Sequence, residues 1–241
     1  MNITYFIQNL QEAFGTAVEL PIVFWYSNEA VGVVEKVNGC FFKAFKKVRE
    51  GELLSLNEET IGCGGGKLYT GFGPMNDYIP NFVSLKEKYK KTPQMVLDYI
   101  DKLKIPQAKH PYLNFARIDQ IDSLEGKEGV LFLASPDVLS GLATWAYFDN
   151  NREDAVSALF GSGCSAVVTR AVLENQLGGK RTFIGLFDPS ARPYFESNLL
   201  SFVVPMSRFS EMYETMRESC LYNTRAWGKI HERIVEESTI K

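Results

Sequence analysis

Two short segments of this chain each place a cysteine inside a cluster of glycines. They are "GCGGG" at residues 62–66 and "GSGCS" at residues 161–165. Glycine has no β-carbon, so such a cluster lets backbone amides turn toward one point and lets a ligand approach the main chain closely. If a helix begins there, its free amides and positive dipole end favour an anion and lower the pKa of a nearby thiol. Both clusters therefore predict a small-molecule site.

The first cluster contains the candidate catalytic residue, Cys63, as a thiolate nucleophile or a redox thiol. The amides of Gly64, Gly65 and Gly66 are candidate ligand-binding groups, and Lys67 adds a positive charge beside them. The structural alternative is that the glycines serve only turns and tight packing, and that the cysteine is a small buried hydrophobe.

The second cluster repeats this arrangement, with Gly163, Cys164 and Ser165 as candidate ligand-binding residues. A good helical pattern follows, which Ser162 or Ser165 could cap, so the Cys164 thiol is expected to favour the thiolate. Two such helix starts facing one cleft would form a pocket rich in amide donors and sulfur. The turn in "FDPSARPYF" presents Arg192, which could bind a carboxylate or phosphate of the ligand or form a surface ion pair instead.

Two phosphate-binding motifs do not match around the first cluster. A Walker A loop requires a glycine where Ile61 stands and a serine or threonine where Leu68 follows Lys67. A dinucleotide-binding GxGxxG fingerprint counted from Gly62 has Lys67 at its third glycine position. The clusters therefore predict a site without a recognised phosphate-binding signature.

The remaining cysteines and the histidines favour packing over catalysis. Cys40 and Cys220 lie on or beside apolar helical stripes, and the four cysteines form no CxxC pair, so reduced thiols are expected. His110 precedes a proline in a predicted loop, and His231 lies in a charged helical tail. No metal ligand and no particular cofactor is therefore predicted, and an iron or zinc site of four cysteines is kept as an alternative.

Hydrophobic periodicity predicts strands that alternate with helices. The predicted strands are "LPIVFWYS", "ELLSLNEET", "YLNFARIDQI", "GVLFLAS", "TFIGLF" and "LLSFVVPM". The predicted helices are "ITYFIQNLQEAFG" ended by Gly15, "CFFKAFKKVREG", two in "NFVSLKEKYKKTPQMVLDYIDKLKIP" divided at Thr92 and Pro93, "PDVLSGLATWAYF", "AVVTRAVLENQLGG", and a tail from Phe209 with a break near Asn223. This order predicts an α/β protein, or a mixed α+β one, with a layered sheet and packed helices. Residues 1–241 are expected to form one domain, or two similar halves, about 1–80 and 110–241, joined by a helical connector.

Composition argues against two classes of partner. The 26 basic and 29 acidic residues are scattered along the chain and give a net charge of −3, whereas a nucleic-acid-binding protein concentrates its basic residues on one face. No apolar run reaches the roughly 18 residues that span a bilayer, so no membrane association is predicted. The first residues lack the features of a signal peptide, and a cytoplasmic location is expected.

Several segments, spread over most of the chain, occur in an order seen in a known family. They are "ELPIVFWYS", "CFFKAFKKVREGELLSLNEETIGCGGGKLYTGF", "GVLFLASPDVLSGLATWAYF", "GSGCSAVV", "FDPSARPYF" and "SFVVPM". The sequence thus resembles domain of unknown function family 169, the archaeal conserved region proteins. The resemblance matches Cys63, Gly64 and Gly65 to an early cysteine followed by small residues, Cys164 to a cysteine of the second half, and Arg192 to the arginine of a late turn. Here "DPSAR" replaces a tighter, glycine-containing turn. The resemblance implies a soluble α/β protein and carries no activity to transfer.

Three hypotheses about function follow. The leading one is that the protein binds a small anionic or cofactor-like ligand in a cleft formed by the two helix starts, with Arg192 as a third wall; whether it is an enzyme stays open. The second is a non-catalytic interaction protein, in which the 13% of aromatic residues help to dock a partner or a second copy of the chain and the cysteines are structural. The third is a metal or iron–sulfur protein.

Overall fold

One mixed sheet lies at the centre of the protein in the computed structural model, which describes residues 1–239. Its strands, in chain order, are β1 (Ile22–Ser27), β2 (Leu54–Leu56), β3 (Tyr112–Arg117), β4 (Gly129–Ala134), β5 (Val156–Ser157), β6 (Thr182–Gly185) and β7 (Leu200–Pro205). They pair in the order β2–β3–β1–β4–β7–β6–β5. Every pairing is antiparallel except that of β5 with β6. All six residues of β4 are buried, as its unbroken apolar run predicts.

Helices cover both faces of this sheet. They are α1 (Ile3–Phe14), α2 (Phe45–Arg49), α3 (Gly64–Tyr69), α4 (Tyr78–Asn81), α5 (Pro93–Leu103), α6 (Pro136–Phe148), α7 (Arg170–Gln176), α8 (Met206–Thr215) and α9 (Arg225–Thr239). Shorter 3-10 segments span Phe41–Ala44, Ile118–Gln120, Arg192–Tyr194 and Met216–Glu218, and π-helical segments span Phe82–Lys86 and Ser165–Thr169. The predicted layers of packed helices and sheet are therefore confirmed.

Alternation of side chains along β1 shows how the two layers form, because successive residues of a strand face opposite sides. Val23 and Trp25 pack with α1, α6, α8 and α9. Ile22 and Phe24 pack on the opposite face with the 3-10 segment Phe41–Ala44, α2 and α7. A third, smaller cluster joins α3, α4 and α5 beside the sheet, where the sequence predicts a helical connector. The division into two similar halves stays a prediction.

Several predicted boundaries are confirmed by local geometry. Gly15 has a φ of +87° directly after α1, and Asn223 has a φ of +55° in the break before α9. The Met95 amide donates to the Thr92 hydroxyl at 3.3 Å, and Pro93 occupies the first turn of α5. The first connector helix is shorter than predicted, because only α4 and a π-helical turn form there. No helix within residues 1–239 has the length and apolar character needed to cross a bilayer.

Candidate functional site

The two cysteine-bearing glycine clusters line the same cavity, which has a volume of about 460 Å³. That volume lies within the range of about 300–1,000 Å³ common for small-molecule pockets. The clusters contribute Gly62, Cys63, Gly64, Gly65 and Gly66 from one side, and Gly161, Ser162, Gly163 and Cys164 from the other. The cleft predicted between the clusters is therefore present as a cavity.

Cys63 directly precedes α3 as its N-cap and lines the first side of the cavity. Its backbone is extended, as is typical of a residue that precedes a helix, and its Sγ accepts a hydrogen bond from the Gly66 amide at 3.5 Å. The amides of Gly64 and Gly65 lie in the first turn, where no helix carbonyl is available to them. The helix start on which the site hypothesis depends is therefore present at this cluster.

The glycines of the first cluster differ in the space around them. A β-carbon on Gly66 would lie 2.9 Å from Ile61 Cγ2, so packing requires glycine there. A β-carbon on Gly64 or Gly65 would meet nothing closer than 3.9 Å or 3.8 Å, respectively. Packing therefore explains why residue 66 is a glycine, but it does not explain the glycines at positions 64 and 65.

The second cluster is held more tightly. A β-carbon on Gly163 would lie 2.7 Å from Phe42 Cε2, which is too close for any other residue without rearrangement. The Cys164 Sγ lies 3.3 Å from the Ser162 Oγ and donates to the Gly65 carbonyl at 4.0 Å, which links the two clusters directly. The Ser162 Oγ accepts from the Ser165 amide at 3.4 Å, as predicted for a cap.

Burial gives the Cys164 thiol an acid–base character opposite to the predicted one. It raises the pKa of Cys164, so the expectation that this thiol favours the thiolate is wrong. Cys40 lines the same cavity while also packing against the core, and burial raises its pKa to about 11. The sequence assigned Cys40 to packing alone. Cys220 packs against the core on the other face of the sheet, in agreement with its prediction.

Three predicted site residues do not line the cavity. Lys67 lies on α3 outside the cavity wall. Ser165 is fully buried and hydrogen-bonds to the Ser162 carbonyl and the Tyr99 hydroxyl, each at 2.9 Å. Arg192 donates to the backbone carbonyls of Leu199, Glu196 and Ser197 and so holds its own loop together. Because Lys67 and Arg192 do not line the cavity, the two positive charges that the sequence assigned to an anionic ligand are absent from its wall.

Asp188 is the functional candidate that the sequence did not single out. It lines the cavity, is only 5% exposed, and its Oδ1 accepts from the Ser190 hydroxyl and, at 3.2 Å, from the Ala191 amide. Its Oδ2 is buried without a hydrogen-bond partner. The one sequence signal for Asp188 is the turn "FDPSARPYF", in which Arg192 was the predicted ligand-binding residue.

Aromatic rings form much of the remaining wall. They belong to Phe41, Phe42, Tyr69, Tyr78, Phe82, Tyr89, Tyr99, Phe160 and Tyr194. The charged side chains of the wall are Asp188, Glu87, which accepts from the Tyr89 hydroxyl at 3.1 Å, and Lys90, whose Nζ lies 4.0 Å from the centre of the Phe160 ring. The arrangement is suited to a flat, largely apolar molecule.

Two other features of the described residues carry no candidate site. A shallower cleft of about 840 Å³ is lined by Arg49 and Arg117, but Arg49 is paired with Glu19 and Arg117 with Asp119. Within residues 1–239, no three His, Cys, Asp or Glu side chains are arranged to hold a metal ion. The metal and iron–sulfur hypothesis therefore has no ligand set in the described part of the chain.

We expect the cavity thiols to differ in reactivity. Because the pKa values of Cys40 and Cys164 are raised, iodoacetamide at about pH 8 should alkylate Cys63 first, with the other two at least about tenfold slower. Peptide mass spectrometry against time measures the three rates, and the urea-unfolded protein, in which all cysteines are exposed, is the control. Equal rates at Cys63 and Cys164 in the folded protein would contradict this ordering.

Comparison with known families agrees with the order of motifs in the sequence. The family model for domain of unknown function 169, described as uncharacterised ArCR, matches residues 17–215. That range contains both cysteine-bearing clusters and Asp188. Neither the curated proteins nor the solved structures gave a match. Because the family model covers well over half of the sequence, the chain belongs to the domain of unknown function 169 family.

Proposed function

We propose that the protein binds a small, flat and largely apolar organic molecule in the cavity between the two cysteine-bearing clusters. The observation that carries the proposal is the open space beside Gly64 and Gly65, in the wall of a cavity of about 460 Å³. Glycine within a helix costs about 0.5–1 kcal/mol relative to alanine. Since no neighbouring atom requires glycine at these two positions, close approach of a ligand to the backbone is the reason that fits them.

The sequence-based hypothesis names an anionic or a cofactor-like ligand, and the cavity wall favours the cofactor-like one. Aromatic rings and weakly polar sulfur atoms favour contact with a flat, cofactor-like molecule. An anionic ligand is less well supported, because Lys67 and Arg192 lie outside the wall while Asp188 and Glu87 line it. Cys63 lies where its sulfur can contact the ligand, and the proposal requires no chemical step from it.

The test uses N-phenyl-1-naphthylamine, a fluorescent probe whose emission rises in apolar surroundings. We expect it to bind with a stoichiometry of one probe per chain, because one such cavity is proposed. Replacing Gly65 by leucine should weaken binding by about tenfold or more, since the added side chain occupies cavity space that the probe needs. Fluorescence titration of both proteins measures the two dissociation constants.

The control is the same substitution at Gly228 on α9, where a β-carbon would meet nothing within 4 Å and which lies outside the cavity wall. Gly228→Leu should bind the probe as the unmodified protein does. Thermal unfolding of both variants checks that each is folded. Absence of probe binding by the unmodified protein, or equal binding by Gly65→Leu and Gly228→Leu, would contradict the proposal and favour the packing explanation of the glycines.

A further inference from the structure

We propose that Asp188 determines the specificity of this cavity by accepting a hydrogen bond from a cationic nitrogen of the ligand. This inference rests on the proposed function and goes beyond it, because it names a chemical group that the ligand must carry. The ligand class is a flat aromatic molecule with a protonated amine or an amidine-type nitrogen.

The hydrogen bonds of Asp188 show which part of it is left for a ligand. Its Oδ1 is occupied by the Ser190 hydroxyl and the Ala191 amide, which fix the carboxylate in its turn. Its Oδ2 has no donor. Among the residues within 1–239 that line the cavity, Asp188 is the one with a buried side-chain nitrogen or oxygen that lacks a hydrogen-bond partner. A buried carboxylate oxygen left unpaired is costly, so such an atom indicates a donor that comes from elsewhere.

The surroundings of the carboxylate explain why the donor should be a nitrogen with positive charge. Burial is the main cause of the raised pKa values of Cys40 and Cys164, and the nearby negative charge of Asp188 raises them further. Both thiols beside this carboxylate are therefore neutral. Neither thiol forms a hydrogen bond with it. A charge-assisted N–H···O bond is about twice as strong as a neutral one and would satisfy both the oxygen and the charge.

The two other charged residues of the wall are already engaged. Glu87 is exposed and accepts from the Tyr89 hydroxyl, and Lys90 lies over the Phe160 ring. Glu87 therefore offers a matched control, because it carries the same charge at the same cavity without a buried, unpaired oxygen.

The experiment compares three naphthalenes that differ in one substituent: 2-naphthylmethylamine, 2-naphthalenemethanol and 2-naphthoate. Each displaces N-phenyl-1-naphthylamine from the unmodified protein, from Asp188→Asn and from Glu87→Gln. We expect the amine to bind the unmodified protein about tenfold or more tightly than the naphthoate, with the alcohol between them. Asp188→Asn replaces the unpaired oxygen by an NH₂ group, so the amine should lose about tenfold while the naphthoate loses nothing. Glu87→Gln should change each affinity by no more than about twofold.

The outcomes separate the two proposals. If N-phenyl-1-naphthylamine itself does not bind, the proposed function fails. If it binds and the three naphthalenes displace it equally well, or if Glu87→Gln weakens the amine as much as Asp188→Asn does, the inference about Asp188 is overturned while the cavity stays a binding site. If Asp188→Asn does not fold, the order of the three affinities in the unmodified protein decides alone.

Discussion

Replacing Phe45 by alanine should lower the free energy of unfolding by about 3–5 kcal/mol, because it leaves a void in a fully packed aromatic cluster. Phe45 is fully buried, and its ring centre lies 4.8 Å from that of Phe42 and 4.9 Å from that of Phe115. The rings of Phe41 and Phe195 lie slightly farther away. Urea unfolding followed by circular dichroism measures the loss.

The same substitution should also weaken binding in the cavity. Phe42 forms part of the cavity wall and packs on Phe45 from the other side, so the void would let the Phe42 ring move away from a ligand. The control is Phe187→Ala, which removes a ring that is 49% exposed and outside the wall; it should cost less than about 1 kcal/mol and leave probe binding unchanged. Equal losses of stability from both substitutions would show that the aromatic cluster does not support the sheet as described.

Replacing Asp149 by alanine should cost about 2–3 kcal/mol, because it removes the partner of a buried cation. Arg208 is 1% exposed; its Nη1 lies 3.2 Å from an Asp149 oxygen and 2.7 Å from a Glu211 oxygen, and its Nη2 donates to the Ala146 carbonyl at 3.1 Å. This expected loss of stability is smaller than the largest losses for broken buried salt bridges, because Asp149 is partly exposed and Glu211 still pairs with Arg208. Thermal or urea unfolding measures it.

The pH dependence of this difference provides a second readout. Burial acts to raise the pKa of Asp149, but the hydrogen bonds and charge of Arg208 outweigh it and hold that pKa below its usual value. A carboxylate with a lowered pKa contributes stability above its unfolded pKa and loses it as the pH falls through the folded one. The difference between the unmodified protein and Asp149→Ala should therefore shrink below about pH 4.

The control for this prediction is another aspartate–arginine pair. Arg152 and Asp154 are both about half exposed, so Asp154→Ala should leave the free energy of unfolding nearly unchanged. A loss from Asp154→Ala as large as that from Asp149→Ala would mean that burial of Arg208 is not the cause.

Much of the fold followed from local patterns in the sequence. The unbroken apolar run of β4, the helix end at Gly15 and the Thr92–Pro93 helix start depend on neighbours along the chain, and each was predicted. The two-residue strand β5 was missed because so short a segment has no periodicity to detect. The sequence did not predict that Lys67 and Arg192 lie outside the cavity wall. Arg192 instead donates to carbonyls of its own loop, whose conformation no periodicity encodes.

The amino-acid sequence by itself determined the α/β layers, the family and the two cysteine-bearing clusters, because periodicity and glycine content act over a few residues. Only the tertiary structure decided that both clusters and Cys40 line one cavity. It also decided that Lys67 and Arg192, the predicted cations, lie outside the cavity wall. It also decided that Asp188 has a buried oxygen without a partner. The physical reason is that burial and cavity shape arise from contacts between residues far apart in the chain, such as Gly65 with Cys164, which no local pattern encodes.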